Sequence, residues 1–308
     1  MLNLTRMRLL SELGRRGTIA ATAEALRYSP SAVSQQLSLL ERETGARLLE
    51  RDARRVRLTP AAVELARHAD AAVAELERAE ADLAAGDGQT RGVLSVASFQ
   101  SVVLGVAPSA LDLLRERHPE LEVVMTQREV GEAYRGLLAH RFDLIVGEEY
   151  PGVPEPVRAG VDREDLMADP MHLVLPPSGS LTHRPHRLAD LADAPWAIDP
   201  EDTVTGSWAR AVCRSAGFEP RVQFESPDPL LQAHLVRTGH AVAFIPGMLA
   251  DPHLDGLELV RLPGDPHRMV YTTARVGRSG HPAIGAFRRA LGEALASLRP
   301  APAASVRV

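Results

Sequence analysis

The stretch "TIAATAEALRYSPSAVSQQLSLLE", residues 18–41, reads as two short amphipathic helices separated by a sharp break. Thr18 is placed to cap the first, with Ile19, Ala23 and Leu26 on its inner face. Arg27-Tyr28-Ser29 is the break. Ser29 is then an N-cap, and Pro30 takes the first helical position, where its missing N–H costs nothing. The second helix turns Val33, Leu37 and Leu40 inward and presents Ser31, Ser34 and Gln35 on another face of its leading end. Upstream, Leu4, Met7, Leu10 and Leu13 recur every three positions, the stripe of a further helix that ends before Gly17. Short polar side chains at the start of a helix behind a tight turn let it enter a major groove and read base edges. The same pattern also fits a plain three-helix packing unit, so charge has to decide.

Charge is unevenly placed. Residues 1–60 hold eleven arginines and six acids, a net of +5, whereas the 308-residue chain is −5, leaving −10 for the remainder. Every side-chain base other than histidine is arginine. A basic head on an acidic body suits a polyanionic partner, and with the polar leading helix it favours double-stranded DNA over a merely solvated surface. Arg27 lies in the break beside the reading helix. "GARLLERDARRVRLTP", residues 45–60, follows with apolar and basic residues alternating, a hairpin with Asp52-Ala53-Arg54 near its tip. Such a wing brings Arg54 and Arg55 to phosphates or the minor groove.

These residues together resemble the LysR-type transcriptional regulators. The likeness rests on Ala23-Glu24-Ala25-Leu26, Ser29, Ser34-Gln35-Gln36-Leu37, Leu40-Glu41, Gly45-Ala46-Arg47-Leu48-Leu49-Glu50-Arg51 and Val56-Arg57-Leu58-Thr59. Thr22, Pro30 and Ala62 depart from the residues usual there. Further runs continue the likeness: His118-Pro119, Phe142-Asp143-Leu144, Leu188-Ala189-Asp190-Leu191 and residues 239–246, GHAVAFIP. The resemblance implies a winged helix-turn-helix at residues 1–59 and a linker helix and hinge at 60–88. It also implies a two-lobed effector domain at 89–300, similar to periplasmic binding proteins.

The residues support that division. Leu65, Ala69, Ala72, Leu76, Ala79 and Leu83 alternate in steps of four and three along an alanine-rich helix, a heptad seam for a homodimer. The family implies further assembly to a homotetramer and leaves RNA polymerase open as a partner. From residue 92 strands alternate with helices, the order of an α/β fold with a parallel sheet covered on both faces. Lobe I is expected at 91–161 and 268–300, lobe II at 162–267, and a disordered tail at 301–308.

A ligand in such a fold sits beyond the carboxyl ends of strands. Ser98, Gln100 and Ser101 follow the first strand of the body, Arg128 the second, and Thr203 and Thr205 precede a helix in the other lobe. Family resemblance adds a contact near Ile245. Hydroxyls and N–H groups ahead of a helix suit an anionic small molecule, and Arg128 suits its carboxylate.

Other chemistry finds little support. His172, His183 and His186 lack metal-ligand spacing with a second cluster, and no phosphate loop, dinucleotide fingerprint or nucleophile elbow is present. Neither metal nor cofactor is expected. The lone Cys213 reads as a buried small hydrophobe, with oxidant sensing the alternative. No window reaches the ~18–20 apolar residues of a membrane span, and the first residues lack the pattern of a signal peptide, which points to the cytoplasm. Three function classes follow: an effector-responsive DNA-binding regulator, an architectural DNA-binding protein, and an enzyme on an α/β scaffold. The first alone explains head, seam and two-lobed body together.

Overall fold

The computed structural model describes residues 2–52, 55–86, 89–156, 158–178, 181, 185–298 and 304–305. In the head, α1 (Leu4–Arg16), α2 (Ile19–Leu26) and α3 (Pro30–Thr44) are followed by the hairpin strands β1 (Leu49–Asp52) and β2 (Arg55–Leu58). Caps set these boundaries. The side chains of Asn3, Thr18 and Ser29 accept bonds from the backbone N–H of Arg6, Ala21 and Ala32. Gly17 and Gly45 end α1 and α3 in the left-handed region, at φ of 74° and 63°. Arg27 ends α2 there too, at φ 57°. The core joins Leu10, Leu13, Ala23, Val33, Leu37, Leu40 and Leu48.

The helix α4 (Pro60–Gly86) leaves the hairpin and runs along α1. Ser11 donates to Asp70 at 2.6 Å and Arg15 to the same carboxylate at 2.7 Å. Farther along, the nearly buried Glu77 receives Arg275 Nε at 2.7 Å and faces His140 at 3.1 Å, both from the body. Gly277 lies so close to α4 that an added Cβ would overlap the Ala74 carbonyl. One face of α4 is therefore used within the chain.

The body holds β3 (Gly92–Ser98), α5 (Gln100–Gly105), α6 (Ala107–Arg117), β4 (Leu121–Gln127), α7 (Val130–Leu138) and β5 (Leu144–Glu149). Next come β6 (Val161–Leu175), β7 (Pro195–Ile198), α8 (Val204–Ser215), β8 (Arg221–Glu225), α9 (Pro229–Arg237) and β9 (Val242–Pro246). The chain finishes with β10 (Glu258–Arg261), β11 (His267–Arg275), α10 (Pro282–Ala296) and β12 (Ala304–Ser305). Among described residues the main strand order is β4-β3-β5-β11-β6-β9-β7-β8. Pairing is parallel for β4-β3-β5 and β9-β7-β8 but antiparallel where β11 and β6 join them. The sheet is thus mixed rather than parallel. Strand parity puts Leu94, Val96, Leu144 and Val146 against α6 and α10, and Ala97 and Ile145 against α7. In lobe II, Leu173, Leu175, Val242 and Phe244 meet α8, while Val174, Ala243 and Ile245 meet α9.

Three expectations are corrected here. The lobe boundary expected at 162 falls at Pro170/Met171, because 161–170 pair with β11 in lobe I and only 171–175 enter lobe II. The return crossing lies at Pro266/His267, and Met171 N–H donates to the Pro266 carbonyl, tying the crossings together. The charged run in β6 hid half of a long strand. The tail expected to be disordered includes a short strand, Ala304–Ser305, paired with Val260 and Arg261; its other residues lie outside the described ones.

Candidate functional site

Two regions carry the predicted contacts. The first is the leading end of α3. Ser29, Pro30, Ser31 and Gln35 are exposed and Ser34 is half-buried. Val33, Leu37 and Leu40, each at most 1% exposed, fix the opposite face in the core. Arg6 donates from Nε to Gln36 at 2.9 Å and pairs with Glu43, which clamps α3 to α1. The Ser29 hydroxyl is occupied by its cap and lies 3.0 Å from that of Ser31, so it holds the helix start rather than projecting freely. Arg27 is exposed and lines a recess with Thr5, Arg8 and Tyr28 on the head and 139–141 on the body. Gly14 is packed against Leu58, which seats the hairpin on α1. Arg54 lies outside the described residues; Arg55 begins β2, opposite Asp52.

The predicted seam on α4 divides. Ala69 is fully buried and Leu65 packs on the head core, so these two belong to the chain's own interior. Ala72, Leu76, Ala79 and Leu83 are exposed, Leu83 by 77%. The heptad spacing alone did not reveal that the first turns of α4 were already covered by α1.

The second region is the cleft between the lobes, with a cavity volume of about 40 Å³, room for a few water molecules. Gln100 and Ser101 line it from lobe I and Thr205 from lobe II. The lobes touch across it: Gln100 Nε2 donates to Asp228 Oδ1 at 2.9 Å. Asp228 also caps α9 through the N–H groups of Leu230 and Leu231.

Four predicted contacts are displaced. Ser98 is buried, with its hydroxyl donating to the Phe99 carbonyl at 3.3 Å. Thr203 is consumed by capping α8: it donates to the Pro200 carbonyl and accepts from Gly206 N–H. Ile245 is fully buried against α9, and by strand parity its neighbours Phe244 and Pro246 line the cleft instead. Arg128 is exposed, donates to the Gln127 carbonyl and lies 3.8 Å from Glu132, away from the lining.

The groups that do face the cleft include Glu129, Glu148, Tyr150, Asp199, Gln232 and Arg268. Arg268 is buried at the crossing. It donates to Asp169 through Nε and Nη2, to Glu148 through Nη1 and to Ser101 through Nη2, all within 2.6–2.9 Å. Tyr150 donates to Glu148 at 3.1 Å and receives Thr205 at 3.2 Å. Burial pushes the Tyr150 phenol well above its ordinary value, so it is a neutral hydroxyl here. Gln232 donates to Asp199 at 2.7 Å. Burial still raises the Asp199 carboxyl to about 7, with Glu148 and Glu129 adding to the rise. Burial also raises Glu129, again helped by Glu148. An anionic ligand is therefore a poor match, because Arg268 is bound on all three nitrogens and the other ionisable lining groups include three carboxylates. Sequence spacing gave no signal for this set, since its members come from the start of α7, from β5 and the residue after it, the β7–α8 loop, α9 and β11.

Cys213 is fully buried and its thiol is pushed up to about 12 by burial, the state of an inert small hydrophobe. No grouping of three or more potential metal ligands occurs among the described residues. No described helix is long and apolar enough to cross a membrane.

Residues 4–63 match the family model described as bacterial regulatory helix-turn-helix protein, lysR family, and residues 87–296 match the LysR substrate binding domain. The chain is 30% identical over 294 residues to the RuBisCO operon transcriptional regulator of Allochromatium vinosum, covering 93% of this chain and 94% of that one. It is 26% identical over 256 residues to the uncharacterized HTH-type transcriptional regulator YdcI of Escherichia coli, covering 83% and 82%. A full-length OxyR variant from Pseudomonas aeruginosa has a similar fold, with a TM-score of 0.64 at 20% identity over 94% of this chain and 95% of that one. Full-length CbnR complexed with its target DNA gives 0.52 at 23% identity over 95% and 99%.

Proposed function

Since the chain belongs to the LysR family of DNA-binding transcriptional regulators with an effector-binding domain, we propose how its own residues divide the work. Ser31, Ser34 and Gln35 at the start of α3 read base edges in the major groove, while Ser29 and Pro30 hold that helix start in place. Arg27 and the hairpin arginines Arg54 and Arg55 bind phosphate or the minor groove and supply salt-dependent affinity. The observation that carries this reading is α3 itself: three buried apolar residues lock one face, while its leading polar end stays open to solvent.

A homodimer forms through the exposed stripe Ala72, Leu76, Ala79 and Leu83 of α4, and dimers pair into a tetramer. A small-molecule effector enters between the lobes at Gln100, Ser101 and Thr205. It acts by favouring one spacing of the lobes, since a ligand that binds both arrangements equally shifts nothing. The Gln100–Asp228 bond is the contact that opening breaks. The changed subunit arrangement alters the bound DNA and the access of RNA polymerase. The protein works in the cytoplasm without turnover; Ser101 already accepts from Arg268 and Thr205 donates to Tyr150, so neither hydroxyl is paired with a base. Thiol-based peroxide sensing is disfavoured by the buried, high-pKa Cys213.

Mapping the DNA bound in cells by the wild type and by Gln35→Ala tests the reading. A shared sequence motif under wild-type sites, degraded in the variant, is expected. Sites without any common motif refute sequence-specific reading by α3.

A further inference from the structure

We propose that the interlobe cleft selects a small organic cation, a primary ammonium or guanidinium compound, seated between Asp199 and Glu129. The proposal rests on the reading of this cleft as the effector site. Its ground is the charge left over after the internal pairs are made. Arg268 faces two carboxylates, Asp169 and Glu148, and its nitrogens also serve Ser101. That cluster is negative before any other group is added. Asp199 and Glu129 then face the same cavity with no arginine assigned to either carboxylate among the described residues. Asp199 accepts from Gln232 and from its own backbone N–H, and its carboxylate has no ion-pair partner among the described residues. Asp228, clasped to Gln100 between the lobes, adds a further carboxylate there, while the Gln100 carbonyl already accepts from Gln127. Walls of Phe99, Pro227, Pro229 and Phe244 would cover the apolar part of the ligand. An anion would be repelled by the surplus carboxylates, whereas a cation with several N–H donors satisfies them.

The elevated Asp199 gives a second reading on the same site. The titratable and charged groups around it are Glu129 at the start of α7, Glu148 on β5, Tyr150 just after β5 and Arg268 on β11, with Asp228 at the start of α9 beside Gln100. Arg210 on α8 binds the Asp199 carbonyl and Glu225 rather than the carboxylate. With its carboxyl at about 7, Asp199 is mostly protonated at pH 6 and mostly ionised at pH 8. A cation binds the ionised form and displaces the proton. Its affinity therefore rises about tenfold between those pH values.

The experiment is a thermal-shift screen of the full-length protein at pH 6 and 8 and constant ionic strength, followed by calorimetry. The probes are ethylammonium, putrescine and agmatine against propionate, succinate and benzoate. At least one cation is expected to raise the midpoint, more at pH 8, with proton release in calorimetry. Asp199→Asn should weaken it tenfold or more and flatten the pH dependence. Glu129→Gln, which keeps the size of the side chain and removes its charge, should weaken it several-fold. Thr205→Trp, which fills the cleft, should abolish binding. If an anion stabilises the wild type and Thr205→Trp removes that effect, the cleft reading stands and the cation proposal is overturned. If a cation binds Thr205→Trp and Asp199→Asn as well as wild type, its site is elsewhere and the cation proposal is overturned. A screen in which none of the three cations shifts the midpoint also overturns the proposal.

Discussion

Replacing Glu77 by alanine should release the linker helix from the body while leaving lobe II intact. Glu77 and Arg275 have side chains only about one-tenth exposed and meet at 2.7 Å. Removing one partner of a buried pair costs ~3–5 kcal/mol because the other charge stays buried. Arg275 keeps the Leu137 and Phe142 carbonyls at 2.8 and 2.6 Å, with Asp143 at 3.8 Å, so the cost should sit near ~3 kcal/mol. The two tryptophans allow a clean assay, since Trp196 and Trp208 both lie in the lobe II core. In urea, tryptophan fluorescence follows lobe II, whereas far-ultraviolet circular dichroism also follows α4 and the head. Glu77→Ala should move the dichroism transition to lower urea and split it from an almost unchanged fluorescence transition. The double change Glu77→Leu with Arg275→Met should restore only part of the loss, because it removes the unpaired charge but takes the Arg275 donor from the Leu137 and Phe142 carbonyls. A loss under ~1 kcal/mol, or equal shifts of both transitions, would refute the claim that this pair anchors the linker.

Acid should loosen the same junction. Burial holds His140 below its ordinary value against the pull of Glu77, so its neutral form is favoured when docked. A depressed pKa contributes stability above the unfolded value near 6.5 that is lost as pH falls, and His140→Gln should flatten the change between pH 7 and 5 in a dichroism-monitored melt. Leu83→Asp places a charge on the exposed stripe of α4 and should shift sedimentation toward monomer; an unchanged assembly would exclude that stripe from the interface. Gln35→Ala should lose ~1–3 kcal/mol on the operator and almost nothing on random DNA in fluorescence anisotropy, and equal losses would remove Gln35 from base readout. Cys213 should resist a thiol-reactive probe in the native protein and react only after urea is added; fast native labelling would contradict its burial.

The sequence by itself determined the head and the order of elements in the body. Thr18, Ser29 and Pro30 mark helix starts through contacts within three residues, and Val33, Leu37 and Leu40 declare a buried face by spacing alone. Short, nearly continuous apolar runs in β3, β5 and β9 likewise announced strands with both faces covered. Only tertiary structure decided the cleft. Gln100 meets Asp228, Arg268 meets Glu148, and Glu77 meets Arg275 across 128, 120 and 198 residues, distances over which periodicity carries no information. Charged residues also read as solvated until a partner from another element pays for burying them, which is why Glu148, Asp169 and Arg268 were silent. The same limit misplaced Ile245: its strand was legible, but a parity of one residue decides which side a side chain faces. Leu65 and Ala69 show the complementary case, where a regular stripe specifies an apolar face and the packed fold decides whether that face meets its own chain or another.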